Sequence, residues 1–303
     1  MSKKILAIYY TQSGQLGQIT DNFTNVFTLA GNSVEKVNVR LQTGFGFPWT
    51  AKRFFDAMPE SVLGIPTELI PFELKEDRYD LIIFAYQPWY LAPSIPANSI
   101  LNHPKFRAVV KSTPVVTVIG ARNMWLKAQE RVKKMLHEMG ASLVGNIVLA
   151  DRNSNLVSGV TILYWMLTGK KDKMWGIFPK PGVSAEDIEQ VKFFGDTVLK
   201  YLNETNWNEL QPALIAQKAV VVKSNLMFIE PRATKLFSIW ASFIIKRKHR
   251  SAWLVVFKYY LLIALFIIAP IVLFINTLLF KPFLSKSINK KKQYYLAVNQ
   301  PLL

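Results

Sequence analysis

The first residues of the chain are a strand, a turn and a helix start whose order restricts the fold. The apolar run 5–8 leads into 11–17, and an amphipathic segment begins at Gln15. This order places the backbone N–H groups of a helix N-terminus at the end of a buried strand, where they favour an anion. We therefore predict an anion site whose binding residues are Thr11, Gln12, Ser13, Gly14, Gln15 and Leu16.

The loop at 11–17 belongs to neither of the two common nucleotide-binding motifs. It is not a G-x-G-x-x-G, and it lacks the Gly-Lys-Ser/Thr ending of a triphosphate loop. It resembles the phosphate loop of flavodoxin-like proteins, which holds the monophosphate of FMN. Leu16 stands where many flavodoxins have a hydroxyl residue, which implies a modest affinity for the phosphate.

Apolar runs and amphipathic segments alternate along the first two thirds of the chain, as in a parallel sheet with helices on both faces. Asn123 is a candidate N-cap for the helix at 124–139, and Gly140 follows its end. The pattern predicts an α/β, flavodoxin-like, doubly wound sheet in the order 2-1-3-4-5. The predicted strands are 4–10, 34–39, 81–86, 115–119 and 143–150, and the helices are 15–29, 124–139 and 185–202.

Composition excludes several kinds of chemistry. The chain has no cysteine, so disulfides, thiolate catalysis and cysteine-ligated metals are ruled out. Its three histidines, His103, His137 and His249, are far apart in sequence and lack the spacing of metal ligands. We predict no metal site.

The last third of the chain combines positive charge with an apolar run. Between 207 and 303 there are 14 Lys and Arg against two acids, within a total charge of +17. The run 259–280 has no charged residue and as a helix would span about 33 Å, enough to cross the hydrocarbon core. Basic residues flank it on both sides: 246–250 before, and Lys281, Lys286 and 290–292 after.

We therefore predict two parts, an FMN-binding domain at 1–205 and a basic, membrane-associated helical tail at 206–303. No secretory leader precedes residue 12, so the domain is expected in the cytoplasm, attached to the inner membrane by the tail. Whether the run spans the bilayer or forms a re-entrant hairpin at Pro270 is left open, because basic residues lie on both sides. The apolar stretch 236–245 is a candidate partner in the interface.

Two further loops should meet the 11–17 loop at the carboxyl edge of the sheet. The loop after the third strand contains Pro88, Trp89 and Tyr90. The loop after the fourth strand contains Gly120, Arg122, Asn123 and Trp125. A flavin ring needs flat aromatic walls and backbone groups at its polar edge, and these loops contain both. We predict FMN as the cofactor, bound by all three loops.

Seven longer motifs are distributed along the chain, at 46–49, 54–56, 59–66, 85–96, 122–125, 145–152 and 165–171. They are similar to those of bacterial dialkylresorcinol condensing enzymes, and the similarity covers most of residues 1–235. The resemblance implies an aromatase that dehydrogenates a dialkyl cyclohexane-1,3-dione to a resorcinol, with a pathway ketosynthase as partner; flexirubin pigments are related products.

The implied reaction removes a hydride and a proton from adjacent ring carbons. Because the carbonyl groups acidify that proton, no strong base is required, and the cofactor carries the hard step. Arg122 is a candidate for enolate stabilisation, with Arg152 as an alternative, and Asp151 or Tyr90, or else Tyr86, for moving the proton. The apolar segments 44–58 and 155–168 are expected to form the entrance for a hydrophobic substrate drawn from membrane lipid.

Other functions stay open at this point. One is a membrane-associated quinone reductase that uses NAD(P)H with the flavin. Another is a flavodoxin-like electron carrier or a scaffold, although carriers are usually acidic and this chain is basic. A nucleic-acid partner is not expected, because the basic residues surround a run of lipid-spanning length and no binding motif is present. The sequence does not decide whether the protein is a homo-oligomer.

Overall fold

A computed structural model describes residues 2–280 and 284–298. Its centre is a five-stranded parallel sheet in the order β2-β1-β3-β6-β7, which is the predicted flavodoxin-like order. β1 ends one residue earlier than predicted, and β6 is longer than predicted at both ends. The sheet strands are β1 Lys4–Tyr9, β2 Ser33–Asn38, β3 Leu81–Tyr86, β6 Pro114–Ala121 and β7 Ser142–Ala150.

Helices cover both faces of the sheet because the strands at its centre are apolar on both sides; all six residues of β3 are buried. Helices α1 and α8 pack on one face, where Phe23, Phe27, Val191 and Val198 are fully buried. Helices α4, α5 and α6 pack on the other. Their bounds are α1 Gln15–Leu29, α4 Ile95–Asn102, α5 Pro104–Val110, α6 Leu126–Glu138 and α8 Ala185–Glu204.

The predicted N-cap of α6 is wrong. The helix begins at Leu126, and Trp125 occupies the cap position without a side-chain hydrogen bond. The predicted end is confirmed, since Gly140 follows the C-cap Met139 with a φ of 71°, the left-handed conformation that glycine adopts most easily.

The two apolar segments that were predicted to form the entrance contain helices. Residues 44–50 are irregular, 51–56 form α2 Ala51–Asp56, and the chain then enters α3 Met58–Leu63. Residues 155–168 form α7 Asn155–Thr168, which begins with Ser154 accepting the Val157 N–H and ends at Gly169. A two-residue hairpin, β4 Pro88–Trp89 and β5 Ala92–Pro93, follows β3.

Part of the predicted tail packs directly on the sheet domain. Helix α9 Leu210–Ala216 lies against β7, and the Val148 N–H donates to the Ala219 carbonyl at 2.8 Å. Helix α10 Ser224–Ile244 packs on α3 and α6. At the far end, α13 Ser285–Leu296 contributes to the main core. The division at residue 205 stays a prediction.

The apolar run is the middle of a single long helix rather than a hairpin. Residues Arg250–Leu279 are helical throughout and form the one helix, among the described residues, that is long and apolar enough to cross a membrane. Of the two alternatives left open, the hairpin at Pro270 is not formed: a π-helical turn at 264–268 precedes the proline, and the chain continues as a helix after it. Within it lie α11 Arg250–Ile263 and α12 Ala269–Ile275; Lys281 lies outside the described residues.

Candidate functional site

A cavity of about 740 Å³ lies at the carboxyl edge of the sheet, where the loops after β1, β3 and β6 meet. Its volume is within the range of pockets that hold cofactors and small molecules. Sheet loops form one side, and α7, α10 and the long helix form the other. The predicted residues that line it are Gln12, Ser13, Gln15, Leu16, Pro88, Trp89, Tyr90, Gly120 and Arg122.

The loop after β1 is shaped as an anion site. Gly14, with a φ of 84°, turns the chain into α1, a backbone conformation that other residues rarely adopt. The Thr11 Oγ1 accepts the N–H of Gly17 at 3.2 Å, so Thr11 holds the loop closed. The N–H groups of Gln15 and Leu16 are in the first helical turn, where no intrahelical acceptor exists. These two N–H groups are therefore available to a ligand.

The side chains of this loop divide into two kinds. Gln12 accepts from the Tyr10 hydroxyl and donates to the Gly46 carbonyl. Gln15 pairs its amide with the backbone N–H and carbonyl of Val183, both at 3.0 Å. Among the described residues, the Ser13 hydroxyl has no hydrogen-bond partner. Ser13 is therefore the side chain that can donate to a ligand, while the two glutamines fix neighbouring segments around the loop.

The hairpin after β3 reaches the cavity through a strained turn. Tyr90 and Leu91 both have positive φ, 50° and 64°, although neither is glycine. The Tyr90 hydroxyl donates to the Phe54 carbonyl at 2.6 Å, and burial raises the pKa of that hydroxyl well above its ordinary value. Tyr90 thus stays neutral, and its ring forms part of the wall.

Aromatic rings surround this hairpin. Trp89 lies edge-on to Trp49 at 5.0 Å and to Phe45 at 5.1 Å between ring centroids. The Trp49 indole N–H and the Gln87 amide nitrogen are buried without a hydrogen-bond partner, and both residues line the cavity. Buried donors without acceptors are costly, so these two atoms indicate where a ligand acceptor fits.

Arg122 is a partly buried cation at the cavity wall. Its Nη1 donates to the Asn155 carbonyl at 2.9 Å at the start of α7. Burial lowers the pKa of the guanidinium to about 10, and the charges of Asp151 and Glu230 partly offset that effect. Arg122 therefore keeps its charge at neutral pH. A Cβ on Gly159 would lie 3.2 Å from Nη1, so this glycine gives the guanidinium its space.

Two predicted residues of the loop after β6 lie behind the cavity wall. Asn123 donates from Nδ2 to the Asn155 Oδ1 and the Ser158 Oγ, both at 3.1 Å. Trp125 is 1% exposed and packs in the core under α6. Asn123 thus positions the start of α7, while Trp125 supports the loop from below. Their direct contact with a cofactor stays a prediction.

Asp151 has a structural position beside the site rather than in it. It is 1% exposed, and its Oδ1 accepts the Asn153 N–H at 2.8 Å. Its Oδ2 accepts the Gly182 N–H at 3.1 Å. Because Gln15 binds Val183 in the same segment, the two side chains together hold 182–183 against the phosphate loop. The predicted proton transfer by Asp151 is not tested by this arrangement, but its lone pairs are largely occupied.

The apolar half of the cavity was predicted only in part. Leu163 and Met166 come from α7, within the segment 155–168 that was predicted as an apolar entrance, whereas the contributions of Ala233 and Phe237 from α10 to the cavity were missed. The long helix contributes a row along one face: Leu261, Ala264, Leu265, Ile268, Ala269 and Val272. Their spacing of three or four residues was visible in the sequence, but the uncharged run has apolar residues all round, which concealed it.

Glu230 was also missed. It is fully buried on α10, and its Oε1 accepts the Lys127 N–H at 2.7 Å at the start of α6. Burial raises its pKa to about 7, while the N–H groups at this helix start lower it. In the part of the chain that the structure describes, the other carboxylate oxygen has no hydrogen-bond partner. Glu230 thus connects the helix under the sheet loops to the helix that lines the apolar half.

Neither a protein-family model nor a curated protein matches the chain. Solved structures share parts of its fold. A flavoprotein in complex with FMN from Lactobacillus acidophilus is 16% identical and covers 48% of this chain and 93% of its own length, with a TM-score of 0.40.

Two others are similar at the same level. Oxidised flavodoxin 1 from Bacillus cereus is 16% identical, covers 65% of this chain and 98% of its own length, and has a TM-score of 0.34. A flavone reductase is 11% identical, covers 67% of this chain and 64% of its own length, and has a TM-score of 0.37. At these identities and scores the flavodoxin-like fold rests on the sheet order itself.

Proposed function

We propose that the protein is an FMN-dependent oxidoreductase that dehydrogenates a dialkyl cyclohexane-1,3-dione to a dialkylresorcinol. The observation that carries this proposal is the continuity of the cavity. A single space joins the Ser13 loop and the partly buried Arg122 to a wall of apolar helices. A phosphate-bearing cofactor and a substrate with long alkyl chains need these two environments side by side.

The residues present fit FMN. Ser13 and the N–H groups of Gln15 and Leu16 form a cradle for a phosphate at a helix N-terminus. Trp89 offers a flat apolar wall for a ring system, and the Gln87 amide nitrogen is a buried donor without an acceptor. When bound, FMN would supply a hydride acceptor at this edge of the sheet.

Arg122 is the group we assign to the substrate. Its charge, desolvated at the wall, favours the enolate form of a 1,3-dione over the neutral form. Stabilising the enolate makes the loss of the ring proton easier, and no strong base is then required. Tyr90 shapes the pocket beside it, because its hydroxyl is already donated to Phe54 and its pKa is raised.

The other predicted acid–base candidates are less suited to the reaction. Arg152 is exposed and forms ion pairs with Glu186 and Asp187 outside the cavity. The Tyr86 hydroxyl is buried and donates to Gln129 at 2.8 Å, away from the cavity lining. We therefore assign the catalytic effect of the chain to Arg122. The proton of the ring carbon is transferred to solvent.

The apolar helices suit the alkyl chains. Each buried methylene contributes roughly 0.8 kcal/mol to binding, so a wall of Leu163, Phe237, Leu265 and Val272 favours long chains over short ones. A ketosynthase that makes such a dione is the partner we expect upstream.

Anaerobic single turnover tests the proposal. The full chain is purified in detergent, loaded with FMN and mixed in the absence of oxygen with a dialkyl cyclohexane-1,3-dione. We expect loss of the flavin absorbance band together with formation of one resorcinol per flavin, without pyridine nucleotide. Reduction by NAD(P)H alone, with no reduction by the dione, would instead favour the quinone reductase. If the absorbance spectrum of added FMN does not change, the protein does not bind FMN, and both the dehydrogenase and the quinone reductase are contradicted.

A further inference from the structure

We propose that the helix Arg250–Leu279 is monotopic: it lies in the plane of an anionic membrane surface, with its inner face as the wall of the cavity and its outer face in lipid. This arrangement determines how the chain contacts the bilayer. Its consequence for substrate entry rests on the proposed function, whereas the topology itself does not.

The two faces of the helix differ. Leu261, Leu265 and Val272 face the cavity and are partly buried. Ile267, Ile271, Phe274 and Leu278 recur every three or four residues on the other side and are 52–69% exposed. A spanning helix would be surrounded by lipid or by other helices along its whole length. One face of this helix instead lines the cavity of its own domain, and the other is a continuous apolar stripe that no described residue covers.

The first end of the helix is fixed to the sheet domain. Arg250 forms a bidentate ion pair with Glu60 and donates to the Asp56 carbonyl at 2.7 Å. One turn later, Leu254 and Phe257 are buried against α3 and α10. The helix therefore leaves the domain along its surface rather than at a right angle through a linker.

The segment after the helix returns to the same domain. The Gln211 amide donates to the Leu296 carbonyl at 2.8 Å, and Lys133 donates to the Ala297 carbonyl at 3.2 Å. Tyr294 and Leu296 are buried in the domain. In a spanning arrangement the 30-residue helix would place its end about 45 Å away, beyond the bilayer.

The chain after the helix would then have to cross the hydrocarbon a second time. Helix α13 contains Lys286 and the exposed lysines 290–292, which are costly at the bilayer centre. In the plane of the interface these lysines, with Lys246, Arg247 and Lys248 before the helix, meet lipid phosphates instead. Charge complementarity thus identifies an anionic leaflet, rather than a second copy of this basic chain, as what covers the stripe.

The cavity then has a lipid side. Since the long helix and α7 form adjacent walls, a substrate dissolved in the leaflet can reach Arg122 without passing through water. A dialkyl dione that partitions into lipid would enter by this route.

Single cysteines test the topology, because the chain has none of its own. Ser251→Cys lies in the first turn of the helix and Ser287→Cys lies after its end, both at exposed positions, and Ser33→Cys on the sheet domain is the reference. A membrane-impermeant maleimide is applied to intact spheroplasts and to inverted membrane vesicles. We expect all three to react in the same preparation and none in the other. Reaction of Ser287→Cys in the opposite preparation would mean a spanning helix and overturn the proposal, as would a protein that leaves the membrane fraction.

A matched pair on the helix tests which face meets lipid. A fluorophore on Ile271→Cys points outward, and one on Val272→Cys points into the cavity. With nitroxide-labelled lipids we expect roughly threefold stronger quenching at position 271. Equal quenching contradicts the two-faced helix. Weak quenching at both, with disulfide-linked dimers of Ile271→Cys, would assign the stripe to a second copy.

Partition of a charge-reversed variant to lipid vesicles tests whether the lysines after the helix bind anionic lipid. Reversing the lysines with Lys290→Glu, Lys291→Glu and Lys292→Glu should weaken partition to phosphatidylglycerol vesicles by about 100-fold or more, at about fivefold per basic residue removed. Partition to neutral phosphatidylcholine vesicles is the control and should change little. Equal loss on both would contradict an anionic occupant. None of these measurements requires bound flavin, so they can fail while the FMN assay succeeds, or the reverse.

Discussion

The two halves of the cavity are held together by different kinds of contact. The half around Ser13 and Arg122 consists of short loops at the ends of parallel strands, and its side chains are held by hydrogen bonds to neighbouring segments. The half around Leu265 and Phe237 consists of helices with almost no polar contacts, and it is held by packing. Hydrogen bonds in the first half hold each side chain in one position, while packing in the second half leaves the helices able to fit apolar ligands of different shape.

The difference indicates how the work is divided in the proposed enzyme. Directional contacts suit a cofactor, which must present one atom to the substrate. Non-directional contacts suit alkyl chains of variable length, because a hydrophobic wall distinguishes ligands mainly by area. Substitutions in the two halves should therefore have separable effects, on FMN affinity in one and on chain-length preference in the other.

The largest effect is expected at the phosphate loop. Ser13→Glu places a carboxylate where the FMN phosphate would lie, and two like charges about 4 Å apart repel by about 4 kcal/mol in a partly buried site. FMN affinity, measured by titration of flavin fluorescence, should fall about 1000-fold.

The control for this charge is Asn25→Glu, which adds it on an exposed turn of the same helix, away from the loop. Its FMN affinity should stay within about twofold of the original. Equal losses in the two variants would mean that FMN binds elsewhere.

Arg122 lies where the polar and the apolar halves of the cavity meet. In Arg122→Gln we expect turnover of the dione to fall by about 100-fold, the usual cost of losing one charge-stabilising donor. FMN affinity should change much less, because the cofactor's phosphate is held at the other loop. A loss of FMN affinity as large as the loss of turnover would instead make Arg122 a cofactor ligand only. Stopped-flow reduction with the FMN-loaded variant separates the two results.

Glu230 joins the helices of both halves, and its titration should be visible in stability. Its folded pKa of about 7 lies above the value of 4.5 for an unperturbed carboxyl, so the folded state binds the proton more tightly. Stability is therefore highest below pH 4.5 as far as this group is concerned, and falls as pH rises toward 7. Between pH 5 and 7 the expected loss is about 2 kcal/mol in the free energy of unfolding.

Chemical denaturation of the protein and of Glu230→Gln at both pH values measures this loss. The glutamine carbonyl can still accept the Lys127 N–H, and the side chain no longer ionises. The variant should show a pH dependence smaller by about 2 kcal/mol. If the stability of the variant depends on pH as strongly as that of the original protein, water reaches the Glu230 carboxylate. The contact between Glu230 and the Lys127 N–H is then not shielded from solvent.

The loops of the polar half could be predicted from the sequence, whereas only the segment 155–168 of the apolar half could be. The strand order and the loops containing Ser13, Trp89 and Arg122 follow from local patterns, because parallel strands bring their ends to one edge. The positions of individual side chains did not follow: Trp125 is buried in the core, and Asp151 is buried and accepts a backbone N–H, so their predicted roles at the site stay predictions. Sequence position alone does not reveal which side of a turn a side chain occupies.

The apolar half depends on contacts between residues far apart in the chain. Leu265 faces Gly159 across more than a hundred residues, and the run 259–280 reads as lipid-spanning because nothing in its composition distinguishes an inner from an outer face. Similarly, the role of Glu230 depends on α10 packing against the start of α6. Such contacts appear only when the helices are placed on the sheet.

The smallest effect we predict tests whether one face of the long helix lines the cavity. Leu265→Trp adds volume on the inner face, and Ile267→Trp makes the same change on the outer, exposed face. The inner variant should raise KM for long-chain diones about tenfold, since the ring displaces roughly two methylenes of buried chain. Short-chain diones, which do not reach this wall, should be little affected. The outer variant should leave both KM values unchanged, because a tryptophan in lipid takes nothing from the cavity. If the two variants instead raise KM equally for all chain lengths, the helix acts through the stability of the whole domain, and the apolar half loses its separate role.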